Sequence, residues 1–317
     1  MTVLVTGGAG FIGSNLVRVL AAGGVRARVL DDFSTGLASN LDGLDAEVMA
    51  GSITEPATVR AAMDGASAVV HLAARGSVPR SVSDPVGAHD TNDTGTLNVL
   101  EAARAAGAHV VFASSSSVYG VNLALPKREE MWTQPMSPYG ANKLAAESLV
   151  MAYREVYGME ALALRFFNVY GPWQRHDHDY AAAIPRLAWR ALHDEPLVVH
   201  GDGEQTRDFT HVDSVVGVLV DALDRRVSWD RPVNLAFGER TSINDVVDEL
   251  SRQLDRPLTV VREAARPGDV RHSQNDPALL LSVFPSARPV AFADGIASTL
   301  AWLGGVAAGA QGGAGDA

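Results

Sequence analysis

The stretch TGGAGFIG, residues 6–13, decides the fold of this chain. It follows the apolar run VLV at 3–5 and precedes a helical pattern that starts at Ser14. Its glycines stand at 7, 8, 10 and 13, which satisfies both G-x-G-x-x-G and G-x-x-G-x-x-G. Glycine at these spacings allows a tight turn, a close approach of the backbone to a pyrophosphate, and close packing of helix on strand. Between a strand and a helix, such a loop predicts a dinucleotide-binding site.

An acidic residue follows at the distance that such sites use. Asp31 stands 18 residues after Gly13, at the end of a second strand-like run. A carboxylate there accepts hydrogen bonds from the adenine ribose hydroxyls and repels a 2′-phosphate, which favours NAD over NADP. Asp32 is the alternative ribose ligand, and we favour Asp31.

Short apolar runs alternate with amphipathic stretches through the first half of the chain. The strand-like runs are 3–5, 28–30, 68–72, 110–112 and 161–166, and the helical patterns cover 14–22, 54–63, 92–106 and 140–157. Runs that are apolar throughout indicate strands covered on both faces. The pattern therefore predicts an α/β fold with a doubly wound parallel sheet of the Rossmann type.

The pattern becomes irregular from about residue 171, where prolines separate short elements. We expect residues 1–170 to form the NAD-binding domain, with 208–240 returning to it. Residues 171–303 are expected to form mainly a smaller α/β substrate domain. Residues 304–317 are rich in Gly and Ala with little to bury, and we expect them to be disordered.

The composition excludes several classes of protein and site. The net charge is -11, from 26 basic and 37 acidic residues without a basic block, so we expect no nucleic-acid partner. The absence of cysteine excludes disulfides, thiol nucleophiles and Cys-zinc sites. The start MTVLVTGG does not resemble a signal peptide, and we see no apolar run long enough to span a membrane. We therefore expect a cytoplasmic protein without a membrane partner.

Tyr139 and Lys143 form a candidate acid–base pair. Pro138 suits the first turn of a helix, and on that helix the two side chains lie on one face. A nearby ammonium, together with a positive nicotinamide ring, could lower the pKa of the phenol from about 10 towards neutrality. The phenolate could then take a hydroxyl proton during hydride transfer.

Further motifs extend through residues 1–303. They are TGGAGFIGSNL (6–16), DDFSTG (31–36), HLAARGSVPRSVSDP (71–85), NDTGTLNVLEAAR (92–104), SSSSVYG (114–120), SPYGANK (137–143), RFFNVYGP (165–172), GDGEQTRDFTHVDSVV (201–216) and RPGDVR (266–271). With them the chain resembles the extended short-chain dehydrogenase/reductase family, in particular its nucleotide-sugar 4-epimerases of the UDP-galactose 4-epimerase type. The resemblance implies tightly held NAD, a UDP-sugar substrate, and a homodimer joined by the helices near 92–106 and 140–157.

The resemblance also implies roles for single residues. Tyr139 would be the base, Lys143 its partner and a ligand of the nicotinamide ribose, and Ser115 would hydrogen-bond the sugar O4. The implied ligands of the nucleotide sugar are Asn168 and Arg207 for the diphosphate sugar, Arg266 for phosphate, and Asp269 for the uridine ribose.

The motifs and the resemblance together place a set of residues around the cofactor. They are Gly7, Gly10, Phe11, Ile12, Gly13, Asp31, Asp32, Ser34, Thr35, Gly36, Ser52, Ile53, Leu72, Ala73, Ala74, Asn92, Tyr139, Lys143 and Phe167. Core packing explains Leu72, Ala73, Ala74 and Phe167 equally well. Ser52 departs from the family pattern, in which an Asp often faces the adenine amine, and its hydroxyl can still form a hydrogen bond there.

The serine run 114–117 bears on the reaction. A 4,6-dehydratase needs an acid and a base beside the tyrosine, and in such relatives Asp and Glu align with Ser116 and Ser117. Relatives that decarboxylate UDP-glucuronate also tend to carry a Glu there. Serine at neutral pH only exchanges hydrogen bonds, which favours an epimerase working through a 4-keto sugar. Glu129 and Glu130 are the alternative source of acid–base chemistry.

The sugar stays open at this point. UDP-glucose/UDP-galactose is the leading substrate, and a small residue at Ser273 favours room for an N-acetyl group. The stretches 114–122 and 170–173 also resemble glucuronate 4-epimerases, whose substrate carboxylate would need a cation. The candidates for that cation are Arg75, Arg175 and Arg186.

Two other readings are less favoured. The RHDHD segment at 175–179 is more typical of a lid over the sugar than of a metal site, so we expect no metal. A sensor that binds NAD without turnover could lack the Tyr or the Lys, and the presence of Tyr139 and Lys143 argues for an enzyme.

Overall fold

The structure, a computed structural model, describes residues 1–177, 181–265 and 270–312, with side chains through residue 306. The strands are β1 Thr2–Thr6, β2 Arg26–Asp31, β3 Ala46–Ala50, β4 Ala68–His71, β5 His109–Ser115, β6 Ala161–Phe166, β7 Val169–Tyr170, β8 Leu197–His200, β9 Thr206–Arg207, β10 Thr210–His211, β11 Val233–Leu235, β12 Thr241–Ser242 and β13 Val260–Glu263. The α-helices are α1 Phe11–Ala22, α2 Pro56–Met63, α3 Val78–Ser83, α4 Pro85–His89, α5 Gly95–Ala106, α6 Pro138–Tyr157, α7 Ala183–Leu192, α8 Val212–Asp224, α9 Ile243–Gln253, α10 Ala278–Val283 and α11 Phe292–Gly312.

Seven parallel strands form the main sheet, in the order β11-β6-β5-β4-β1-β2-β3. The order reverses between β1 and β4, so a crevice opens beyond the carboxyl ends of these two strands. This architecture confirms the predicted doubly wound α/β fold. Strand β3 escaped prediction because its side chains are mostly exposed or half-buried and give no continuous apolar run.

Helices cover both faces of the sheet. One apolar core lies under α1, α8 and α10, and a second lies under α2, α5 and α6. The central strands contact both cores, which explains their unbroken apolar sequences: β4, for example, is buried at every residue. Helix α5 is preceded by a π-helical turn at Asp90–Thr94.

A third core is formed by the C-terminal part of the chain, under α7, α9 and α11. Two short parallel pairs, β7–β10 and β8–β13, and one antiparallel pair, β9–β12, accompany it. Strand β11 pairs with β6 in the main sheet, and α8 packs against α1. The proposed division of the chain into domains remains a prediction.

The end of the chain differs from the expectation. Helix α11 continues to Gly312, so the prediction of disorder is wrong for residues 304–312, and 313–317 lie outside the described residues. Alanine is the strongest helix former, and In the part of the chain that the structure describes, no helix combines the length and apolarity needed to cross a bilayer.

Candidate active site

The glycine loop between β1 and α1 is a cradle that side chains would fill. Gly7 has φ +70°, and a Cβ on it would lie 2.7 Å from the backbone nitrogen of Ala73. A Cβ on Gly13 would overlap the carbonyl oxygen of Gly7. Helix α1 begins at Phe11 without a side-chain cap, so the N–H groups of Phe11 and Ile12 open its first turn. This arrangement fits a pyrophosphate.

The two candidate ribose carboxylates lie in different surroundings. Asp31 is buried, and its oxygens accept hydrogen bonds from the backbone N–H groups of Ala9, at 2.9 Å, and Phe33, at 2.8 Å. Burial raises the pKa of Asp31. Asp32 is exposed and accepts bonds from the N–H and hydroxyl of Ser34. The structure thus places Asp31, rather than Asp32, beside the glycine loop.

Other predicted cofactor residues line the same crevice. Gly36 packs on Ala9 and on a carboxylate oxygen of Asp31, while Thr35 is exposed. Ser52 exchanges a hydrogen bond with the Thr54 hydroxyl at 2.8 Å.

Buried residues shape the walls of the crevice. Ile53 packs closely on Gly95, and Phe167 is fully buried in a cluster with Val118 and Tyr119. Asn92 is buried too, and its amide bonds the N–H and the carbonyl of Arg75. It thereby holds the half-buried loop that contains Leu72, Ala73 and Ala74. For the side chain of Phe167, core packing is the interpretation that fits.

The tyrosine and the lysine lie at the carboxyl end of β5. The Ser137 hydroxyl caps α6, and the backbone N–H of Tyr139 donates to the Ser81 hydroxyl at 3.0 Å. The Tyr139 phenol is hydrogen-bonded to Ser115. The Lys143 ammonium donates to the carbonyl of Ala113 at 2.8 Å. Ser115, Tyr139 and Lys143 therefore meet where the sequence predicted a common site.

The electrostatics of this site differ from the expectation. Burial raises the pKa of Tyr139, and the hydrogen bond from Ser115 only partly opposes this. Burial also lowers the pKa of Lys143 to about 8, against the attraction of the Asp93 carboxylate. The ammonium is directed to a backbone carbonyl, so the expected lowering of the phenol pKa by Lys143 is wrong for the protein alone. It requires the added positive charge of the nicotinamide ring.

A buried histidine next to the site was not predicted. His71 exchanges hydrogen bonds with the hydroxyls of Thr6, at 2.7 Å, and Thr96, at 3.0 Å. Burial and the nearby Lys143 lower the pKa of His71 to about 3, so the ring is neutral and links β1, β4 and α5. Its position as the last residue of a buried strand was the available signal.

A cavity of about 240 Å³ lies beyond β6 and contains two predicted substrate ligands, Asn168 and Arg207. The Arg207 guanidinium donates to the carbonyls of Thr206 and Arg271. Arg186, His200 and other residues complete the lining: Val169, Tyr170, Ala182, Ala183, Ile184, Leu187, Val198, Val199, Gln205, Phe209 and Ile243. Arg266 and Asp269 lie outside the described residues.

The residues that bear on the choice of reaction are also placed. Ser116 and Ser117 open a 3₁₀ turn, and the Ser117 hydroxyl donates to that of Ser115 at 2.7 Å. The Glu129 carboxylate accepts the backbone N–H of Asn234, in β11, at 2.9 Å, and Glu130 is exposed. Among the described residues no cluster of three His, Asp or Glu side chains could hold a metal ion; 178–180 are not among them.

Comparison with known proteins gives the family. Residues 3–236 match the model of the NAD dependent epimerase/dehydratase family. A UDP-glucose 4-epimerase of Mycolicibacterium smegmatis is 36% identical over 307 residues, which are 95% of this chain and 97% of the relative. The structure of a UDP-N-acetylglucosamine 4-epimerase from Methanobrevibacter ruminantium superposes with a TM-score of 0.90 at 33% identity, covering 96% of this chain and 98% of the other.

A third similar protein was crystallised with NAD. It is a mutant UDP-glucuronic acid 4-epimerase of Bacillus cereus, with a TM-score of 0.88 and 29% identity, covering 96% of this chain and 100% of the other. The three proteins carry names with three different sugars, whereas the family and the fold are shared. The chain therefore belongs to the NAD dependent epimerase/dehydratase family, and its cofactor is NAD.

Proposed function

We propose that the protein is a 4-epimerase that interconverts UDP-glucose and UDP-galactose, or their N-acetyl forms, through a 4-keto intermediate. The observation that carries this proposal is the chemistry at the end of β5. A Ser115–Tyr139 pair is present, while hydroxyls stand at 116 and 117 and the Glu129 carboxylate is bound to β11. A dehydratase or decarboxylase would use further acid–base groups beside the tyrosine.

The proposed mechanism assigns one role to each side chain. Ser115 and Tyr139 hydrogen-bond the sugar O4, and Tyr139 takes its proton as the C4–H bond breaks. NAD, when bound, accepts the C4 hydride and returns it. After the 4-keto sugar has presented its other face, Tyr139 gives the proton back to O4. Lys143 supplies positive charge near the phenol and binds the nicotinamide ribose.

The cavity beyond β6 is proposed to hold the nucleotide diphosphate. Arg207 offers a guanidinium, whose fork of donors suits phosphate oxygens, and Asn168 offers an amide. Because Ser115 pairs with Phe166 in register, Asn168 follows β6 at the level where β5 ends. The diphosphate at the cavity would therefore lie next to a sugar at Tyr139. Contacts of Arg266 with phosphate and of Asp269 with the uridine ribose stay predictions.

Glucuronate is the second candidate sugar, supported by the resemblance of the serine run and by the Bacillus cereus enzyme. Two of its three candidate cations are engaged in ion pairs, Arg75 with Asp84 and Arg175 with Asp177. Arg186 lines the cavity and is the remaining candidate. Asn122, the residue that strengthened this resemblance, is buried and bonds the backbone at Ala124 and Trp132. This structural use favours the plain hexose.

A panel of substrates tests the proposal. Purified protein is incubated with UDP-glucose, UDP-N-acetylglucosamine, UDP-glucuronate and dTDP-glucose without added NAD, and the products are identified by nuclear magnetic resonance. We expect inversion at C4 of UDP-glucose or its N-acetyl form. A 4-keto-6-deoxy sugar or a pentose would overturn the proposal, and inversion of UDP-glucuronate alone would establish the second candidate.

The assembly and location are proposals as well. We infer a cytoplasmic homodimer joined by α5 and α6, since Leu97, Val156 and Tyr157 on these helices are exposed apolar side chains. Light scattering with size-exclusion chromatography should give twice the chain mass of 33.4 kDa. A monomer at micromolar concentration would refute the dimer.

A further inference from the structure

Three consecutive residues of β5 are bonded to one face of α6. The Ala113 carbonyl accepts from Lys143, the Ser114 hydroxyl donates to Glu147 at 2.6 Å, and Ser115 bonds Tyr139. On the helix these partners are spaced at i, i+4 and i+8, so they form a single row along its axis. The strand end and the first turns of the helix are thus joined bond by bond.

The middle bond of the row has a strong anchor. Glu147 and Arg165 are both buried and form a bidentate pair, with distances of 2.9 Å from Nε to Oε2 and 2.7 Å from Nη2 to Oε1. Arg165 lies on β6 directly opposite Ser114. Its Nη1 donates to the Tyr119 hydroxyl at 2.8 Å, which donates in turn to the Asn234 amide on β11 at 2.8 Å. The pair therefore fixes α6 against three neighbouring strands.

We propose that Ser114, Glu147 and Arg165 are positioning residues that hold Ser115 within hydrogen-bond distance of the Tyr139 phenol. The inference rests on the proposed role of Tyr139 as the base. It goes further because it gives Ser114 a task of its own: to transmit the position of the Glu147–Arg165 pair to the residue that follows it.

The choice of a buried ion pair supports this role. Apolar residues of similar volume are often as stable as a buried ion pair, because both charges lose their hydration. What the charged pair adds is direction, since each of its bonds constrains both distance and angle. A misplacement of about 1 Å at a reacting centre can lower the rate roughly a hundredfold. The row of bonds is therefore where the geometry of the base is set.

A double-mutant cycle tests the proposal with Ser114→Ala, Ser115→Ala and the double variant. Removing Glu147 would leave Arg165 as an unpaired buried charge, so Ser114, which supplies one hydrogen bond, is changed instead. We expect kcat of Ser114→Ala to fall roughly tenfold with KM nearly unchanged. The double variant should be no slower than Ser115→Ala alone, because Ser114 acts through Ser115. Additive losses in the cycle would overturn the proposal.

Tyr153→Phe is the matched control. It removes another 2.6 Å bond from a hydroxyl to a buried-side carboxylate, that of Tyr153 to Glu101, on the same helix. The bond lies far along α6 from Tyr139, so we expect kcat to stay within about twofold. A loss equal to that of Ser114→Ala would mean that any weakening of α6 slows the enzyme, and it would refute a specific role for Ser114.

A titration without turnover separates this inference from the proposed function. The phenol of Tyr139 is followed by ultraviolet difference spectra of each NAD-loaded protein against its Tyr139→Phe counterpart. The charged groups around the site, Lys143, Asp93 and Arg165, are the same in every variant. Ser114→Ala should raise the pKa of Tyr139 in the same direction as Ser115→Ala. This shift in a protein that converts no nucleotide sugar would sustain the positioning role and refute the function, whereas normal turnover with no shift would refute the positioning role.

Discussion

The cofactor side and the sugar side of the crevice are built from different parts of the chain. The cofactor side is mostly backbone: a glycine cradle, the first turn of α1, and Asp31 fixed by two N–H groups. The sugar side consists of side chains carried by β5, α6 and the cavity beyond β6. A backbone site tolerates few substitutions, while side chains can be exchanged one at a time. This difference explains why similar proteins share NAD and differ in the named sugar.

The largest effect is expected from the sugar side. Tyr139→Phe removes the base and keeps the ring, so kcat should fall about 10²–10⁴-fold. NAD bound per chain, measured after denaturation, should stay near the wild-type value because the cradle is distant in sequence and built from backbone. Equal loss of NAD and activity would erase the distinction between the two sides. An unchanged kcat would refute the proposed base.

Lys143 should give the sugar side a distinct pH dependence of stability. Its pKa is lowered from 10.5 to about 8 in the folded protein. Between these values the unfolded chain binds the proton more tightly, so stability rises with pH across this window. Relative to Lys143→Met, the free energy of unfolding of the wild type should rise by about 3 kcal/mol from pH 8 to 10.5. Parallel urea-denaturation curves at all pH values would contradict the lowered pKa.

On the cofactor side, Asp31→Asn should weaken NAD binding roughly 10–100-fold, as expected for a lost hydrogen bond to a charged group. It should also reduce the preference for NAD over NADP, because the repulsion of a 2′-phosphate is removed. Calorimetry on protein stripped of cofactor measures both constants. Asp32→Asn is the matched comparison, and its effect should be smaller since Asp32 is exposed and bonded to Ser34. The reverse order would make Asp32 the ribose ligand.

The smallest effect is expected at the margin of the sugar side. Glu129→Gln keeps an oxygen that can accept the Asn234 N–H and removes the ability to act as a base. We expect kcat to remain within about twofold of the wild type, as for a substitution without a lost contact. A loss of tenfold or more would show that a carboxylate takes part in the chemistry and would favour a dehydratase or decarboxylase.

The sequence predicted what local patterns determine. Strands β1, β4, β5 and β6 are buried on both faces, so their apolar runs were visible, while β3 is an exposed edge and β11 has only three residues. The glycine cradle was predicted because its parts lie within eight residues.

The remaining features depend on which distant strands become neighbours. The Ser114–Glu147–Arg165 contacts require β5, α6 and β6 to be assembled, and no spacing within one segment indicates them. The pKa of Tyr139 required its burial to be known. The disorder expected at 304–312 failed because composition does not show that Leu303 is packed in a core.

The most direct test of the central claim follows the hydrogen at C4. UDP-glucose deuterated at C4 is incubated with the protein in ordinary water, and the product is examined by nuclear magnetic resonance and mass spectrometry. An epimerase returns the same hydride to the other face, so we predict UDP-galactose that keeps its deuterium at C4. Deuterium lost to solvent or transferred to C6, or a product without the C6 hydroxyl, would contradict the account.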